Sequence, residues 1–195
     1  FQQMAGSMTG MSEEEYRELR AGSSEGAVLR RFHGLVPRFE EHFQSMMTEV
    51  TRLNREAITR YHLNILVFPQ GTRSVRLSRG HPGIAQMTQH LGVPIVPVGC
   101  SGSDRVFPGP SPYPRGGRIV CRVGDPLELD GPELGPHRVR EPFVPFTPQA
   151  DAYASRFAAI TEAVMNGINA LVDPPYRFAD SGASDGVAGM NRFLM

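Results

Sequence analysis

Apolar residues recur along this chain at two periods, and the period sets the expected element. Phe32, Leu35, Val36, Phe39, Phe43, Met46, Met47, Val50 and Leu53 fall three and four residues apart, the spacing that lines one face of a helix. Gly34 and Pro37 are expected to divide this pattern, with Pro37 in the first turn of the main helix and the apolar stripe in the core. Leu63 to Phe68 is instead a short continuous apolar run ending at Pro69-Gln70-Gly71, which predicts a buried strand. Pro82 to Leu91 predicts a helix stopped by Gly92. VPIVPVGC, from Val93 to Cys100, predicts a second strand, and its prolines assign it to an edge or a terminus. Arg118 to Val123 predicts a third strand. Thr147-Pro148 opens the last helix, with Tyr153, Phe157, Ile160, Val164, Ile168 and Leu171 on its buried face.

The segments between these are punctuation. SEEEYRELRA at 12–21 predicts a short helix capped by Ser12, with three Glu in the first turn where the helix dipole favours anions, and Gly22 to Gly26 is a break. Residues 101–117 form a Gly/Pro/Ser loop carrying Phe107 and Tyr113, either as ordinary loop packing or toward lipid. Asp125 to Pro148 is Pro-rich and expected to be ordered but irregular. Helices and strands alternate, so the fold class is α/β: a mixed sheet flanked by helices in a single domain over residues 1–176, with a flexible C-terminal tail at 177–195.

Length and composition fit one soluble-type domain: 195 residues, 40% hydrophobic, and no apolar run long enough to span a bilayer. The opening FQQMAGSMTG lacks the basic start and apolar middle of a secretory leader, and a first residue of Phe is that of a processed product or a fragment. The two cysteines, Cys100 and Cys121, sit in strand-like runs and are expected as small buried core residues; their spacing offers no zinc site.

Charge changes the picture through position rather than sum. The 20 basic residues balance 20 acidic ones, and every basic residue is an arginine, a bias that leaves a single Arg uninformative. From Ala57 to Ser103, however, there is no Asp or Glu, while Arg60, Arg73, Arg76, Arg79, His62, His81 and His90 all fall inside. A locally basic, glycine-punctuated segment in a neutral chain points to an anion site and argues against a broad nucleic-acid surface.

Within that segment stands Phe68-Pro69-Gln70-Gly71-Thr72-Arg73-Ser74. A strand ends, Gly71 permits a tight turn and close approach of a ligand to backbone N–H groups, and Arg73 offers a planar fork of donors that fits phosphate. Thr72 and Ser74 add hydroxyls. His81 either touches the same phosphate or begins the helix at Pro82, the second being favoured.

FPQGTRS resembles the FP-E-GTRS block of the glycerolipid and lysophospholipid (1-acylglycerol-3-phosphate) acyltransferases, and VPIVPV at 93–98 resembles that family's next block at matching spacing. GHPGIAQMTQHLG between them and GGRIVCRVGDPL after them are similar too, so the resemblance covers about residues 60 to 130. It implies transfer of a fatty acyl group from acyl-CoA or acyl carrier protein, with no further cofactor and no metal, to a hydroxyl of a lysophospholipid or glycerol-phosphate acceptor. It implies a membrane surface as partner and a cytoplasmic, peripheral location at the inner face. Carried over, Gln70, Gly71, Thr72, Arg73 and Ser74 are the substrate-binding residues. Gln70 departs from the family's Glu: it keeps hydrogen bonding and loses the charge.

The catalytic residues are not found. The family's base is a His followed five residues on by Asp; here the residues five after His33, His42, His62, His81, His90 and His137 are Arg38, Met47, Val67, Gln86, Ile95 and Pro142. The resemblance places that block near or before Phe1. Three readings stand: the segment lies upstream, a divergent base such as His42 or His33 acts, or the chain is a non-catalytic phosphate- or lipid-binding relative. A P-loop is absent, there being no Lys to build it. Gly99-Cys100-Ser101-Gly102-Ser103 is a near miss for a serine-hydrolase elbow, with Asp125 or Asp130 and then His137 downstream, and a polar turn after a strand is the favoured reading.

Overall fold

The computed structural model describes residues 24–71, 74–108 and 113–179, with side chains from residue 41 onward. The chain divides into two compact units, residues 1–49 and 50–195. The first is described only where it is helical, as part of α1 (Ser24–Thr59). That helix runs through Gly34 and Pro37 without the expected division, since a proline removes one backbone hydrogen bond and the flanking turns keep theirs. The short helix expected at 12–21 and the tail beyond Ala179 lie outside the described residues. The apolar stripe of α1 is less buried than its period implies: Phe43, Met47 and Val50 are half-buried, and Met46 and Leu53 are about half exposed.

The second unit is a mixed α/β arrangement. After α1 come α2 (Gly83–Leu91), β1 (Val98–Ser101), α3 (Ser103–Val106), β2 (Val120–Val123), α4 (Pro148–Asp151) and α5 (Ala154–Leu171). Short 3-10 turns stand at Gly135–His137 and Pro174–Tyr176. α2 has the expected bounds: Pro82 caps it, and Gly92 at φ 70° ends it in the left-handed conformation, its N–H donating to Thr88 O at 2.9 Å.

Among the described residues the sheet has two strands only, β1 and β2, antiparallel, with Val98 opposite Val123 and Cys100 opposite Cys121. The prolines at 94 and 97 delay β1 to Val98; upstream only an isolated bridge joins Ile95 to Leu127. Leu63 to Phe68 is not a buried strand. It forms no strand among the described residues, and Leu66 and Phe68 are 76% and 75% exposed. An apolar run becomes a buried strand only when a neighbour accepts its backbone and covers its faces, and here neither happens.

One face of the small sheet packs on α5. Gly99 sits where a Cβ would lie 2.6 Å from Leu171 Cβ, so only glycine lets β1 approach the helix this closely. The opposite face is open. Cys100 and Cys121 are on it, exposed rather than buried, because the strand alternates and the inward positions belong to Gly99 and Ser101. The core gathers Phe157, Ile160 and Val164 of α5 with Ala85 of α2, Ile95, and the irregular 125–148 segment, which contributes Leu129, Leu134, Val139 and Phe143. The helix expected from Pro148 divides into α4 and α5; α5 buries Thr161 and Met165 besides the expected Phe157, Ile160 and Val164, and Ile168 and Leu171 are half-buried, Ile168 packed against the core.

Candidate functional site

The block that drew the sequence reading sits on a loop tied down at its base. Gly71 N–H donates to Phe68 O at 3.1 Å, closing a tight turn over Pro69 and Gln70, and His81 N–H donates to Pro69 O at 2.8 Å, joining the two ends of the loop. Gly71 has φ 67°, the left-handed conformation for which glycine is suited. Its open face meets the His81 ring: a Cβ on Gly71 would lie 3.2 Å from His81 Cδ2. The structure therefore brings His81 to the block as well as placing it next to the N-cap of α2. Its ring is solvent-exposed.

Gln70 is half-buried and its Nε2 donates to Ser78 Oγ at 2.9 Å; Ser78 is itself buried. The side chain is thus held by the second half of its own loop. Ser74 is half-buried, and Thr72 and Arg73 lie outside the described residues.

Of this loop's arginines, Arg76 and Arg79 are described, and they part company. Arg76 turns toward the C-terminal segment, its Nη2 donating to Phe178 O at 2.7 Å and its Nε to Arg177 O at 3.4 Å. Leu77 joins the same seam, donating its N–H to Tyr176 O at 3.0 Å and accepting Ala179 N–H at 3.2 Å. Arg79 is exposed. The sequence reading ended the domain at residue 176, whereas residues 176–179 form the ledge on which this loop rests. The signal for it was weak, an aromatic pair in a Pro-rich stretch.

Of the remaining histidines, His42 is exposed on α1, and the side chain of His33 lies outside the described residues. His90 is partly buried between two groups that fix its tautomer: Nδ1 donates to Phe143 O at 3.0 Å and Nε2 accepts from Arg55 Nη2 at 2.7 Å. Burial, with Arg55 adding to it, pushes its pKa below the ordinary histidine value against the opposing pull of the Phe143 carbonyl.

Ser101 does not stand on a nucleophile elbow. It is buried at the end of β1, and its Oγ accepts Asp173 N–H at 3.0 Å. Asp130 belongs elsewhere: it pairs with Arg138 and, at 3.5 Å, with Arg140, which hold its carboxyl below the usual range. Ser101 and Asp130 line different cavities, so these two are not brought together as a hydrolase pair.

Residues 26–101 match the Acyltransferase family model. The match covers less than half of the chain, and over that segment the chain is similar to the acyltransferases. The match takes in most of α1, the Gln70 loop, α2 and β1, and stops at Ser101, so it starts earlier and ends earlier than the sequence resemblance did. It supports lipid acyl transfer as the chemistry of this segment. No curated protein and no solved structure matches the chain. Among the described residues there is no cluster of His, Cys, Asp and Glu able to hold a metal, and no helix long and apolar enough to cross a membrane.

Proposed function

We propose that this chain belongs to an enzyme that moves a fatty acyl group from a thioester donor, acyl-CoA or acyl carrier protein, to a hydroxyl of a lysophospholipid or glycerol-phosphate acceptor. In such a reaction the acceptor oxygen bonds to the acyl carbon, the carbon–sulfur bond breaks, and the hydroxyl proton ends on the released thiol. The observation that carries this reading is the tied loop inside the acyltransferase segment: Gly71 in a left-handed turn, Gln70 anchored on Ser78, and His81 against Gly71, all in a stretch without a carboxylate. Gln70, Gly71, Thr72, Arg73 and Ser74 are the proposed acceptor-binding residues, with Arg73 on the phosphate.

The exposed run Leu63–Phe68 leads directly into this loop and supports a membrane surface as the place where the acceptor is met, with the chain peripheral at the inner face. The second reading is a non-catalytic phosphate- or lipid-binding relative.

The test is Arg73→Ala in a lysophosphatidate titration. A charge-assisted hydrogen bond contributes roughly 1.5–3 kcal/mol, so affinity should fall about ten- to a hundred-fold. Arg115→Ala is the control, and equal losses in the two variants would remove the phosphate assignment. Acyl transfer by the parent chain from a radiolabelled thioester separates the enzyme from the binding relative.

A further inference from the structure

A second basic site lies at the end of the small sheet where β1 finishes and β2 begins. A cavity of about 350 Å³ opens there, lined by Arg105, Arg118 and Arg122 together with Asp173, Ser101 and Tyr176. Three guanidinium groups face one lining carboxylate. That carboxylate is already engaged, Asp173 Oδ1 accepting from Arg122 Nη2 at 2.7 Å. Among the described residues no carboxylate lies within ion-pair distance of Arg105 or Arg118. The nearest acid in sequence, Asp104, accepts the Tyr176 hydroxyl at 2.8 Å. Three guanidinium groups thus stand against the lining Asp173 and the adjacent Asp104, which leaves the cavity an excess of positive charge.

The backbone that carries the three arginines is held in place. Gly102, at φ 90°, lies so close to Arg118 that a Cβ there would sit 2.3 Å from Arg118 O, which seats the approach to β2 directly on the end of β1. Arg122 Nη1 donates to Leu171 O at 3.1 Å, fixing its fork beside Asp173. Arg105 stands on α3, whose Val106 is buried and accepts Arg115 N–H at 2.7 Å. Guanidinium forks with spare donors suit phosphate oxygens. The cavity has room for more than one phosphate, and two arginines are left over after the Arg122–Asp173 pair.

We propose that this cavity is a binding site for a diphosphate group. The diphosphate is either free or that of a nucleotide-type carrier such as coenzyme A. Its lining shares no residue with the proposed acceptor-binding block at 70–74, although Tyr176 also bonds to Leu77 of that loop, and the inference does not depend on the acyl-transfer reading.

The experiment is calorimetric titration of the full chain with inorganic pyrophosphate and, separately, with coenzyme A, in parent, Arg105→Ala/Arg118→Ala, Asp173→Asn and Arg140→Ala proteins. Arg140 is exposed beside the other cavity, at Asp130, and serves as control. The double variant should lose at least tenfold in pyrophosphate affinity, Arg140→Ala should lose little, and Asp173→Asn should gain several fold by removing the one lining carboxylate. Both arginines are solvent-facing, and a thermal melt checks that the double variant is folded. Coenzyme A binding that exceeds pyrophosphate binding and falls with the same variants identifies a carrier; pyrophosphate binding alone identifies free diphosphate. No binding by the parent, or losses equal in Arg140→Ala and the double variant, would overturn the site. Arg73→Ala should leave pyrophosphate binding unchanged, so failure of the acceptor reading and failure of this one are distinguishable.

Discussion

Gln70→Glu tests the candidate loop at the point where it departs from its relatives. In the structure the Gln70 amide donates to Ser78 Oγ at 2.9 Å, and Ser78 is 6% exposed. A neutral hydrogen bond of this kind contributes about 1 kcal/mol net. A glutamate cannot donate, but the serine hydroxyl carries its own proton and can turn it toward the new carboxylate. That bond, to a charged acceptor, is worth roughly 1.5–3 kcal/mol, offset by the cost of partly desolvating the carboxylate at a half-buried position. Stability should therefore change by no more than about 1 kcal/mol, while Gln70→Ala should lose about that amount outright.

Affinity should respond much more. The new carboxylate is the first acid between Ala57 and Ser103, placed next to the proposed phosphate ligands. A unit charge at ~4 Å and an effective dielectric near 20 interacts by about 4 kcal/mol before desolvation, so acceptor affinity should shift at least several fold. It falls if the carboxylate repels the phosphate or occupies Arg73, and rises if it orders Arg73 for binding. The assay pairs a thermal melt with a lysophosphatidate titration, repeated in a Ser78→Ala background to show whether Ser78 holds the side chain. Unchanged melting and unchanged affinity in Gln70→Glu would mean that the side chain is remote from any ligand, and the functional content of the FPQGTRS block would be lost.

Other perturbations separate structure from chemistry. Phe157→Ala removes a fully buried ring packed 5.2 Å from Phe143 and 6.2 Å from Tyr153, and should destabilise by about 3–5 kcal/mol in denaturant unfolding; a loss under about 1 kcal/mol would show the core to be centred elsewhere. Ser101→Ala leaves Asp173 N–H without its acceptor, a cost of about 1–3 kcal/mol, and should leave ester hydrolysis or acyl transfer within a few fold; a covalent acyl adduct on Ser101 would restore the hydrolase reading. His90 has a pKa lowered in the fold, so the folded state favours neutral imidazole. Its contribution is fully present above the unfolded value near 6.5 and is lost as pH falls from there through the lower folded value, so unfolding free energy should drop across that window and drop less in His90→Gln.

Local sequence determined those parts of this protein whose geometry closes within a few residues. Pro82 and Gly92 bound α2 because one cannot continue a helix backward and the other readily adopts the left-handed turn that ends it. The turn at Gly71 was legible for the same reason, and so was the apolar face of α5 from Phe157 to Val164.

Burial and partnership were decided by the tertiary structure. Leu63–Phe68 has the composition of a buried strand, yet burial belongs to its neighbours, and among the described residues none pairs with it. Cys100 and Cys121 faced outward once Gly99 had to meet Leu171, a constraint set from more than 70 positions away along the chain. Arg76, prominent in the sequence beside Arg73 and Arg79, was drawn off to the carbonyls of residues 177 and 178. Arg105, Arg118 and Arg122 attracted no notice as single arginines in an arginine-rich chain. They share a cavity because Gly102 lets the chain before β2 lie against the end of β1, and only folding places like charges from separate stretches around one space.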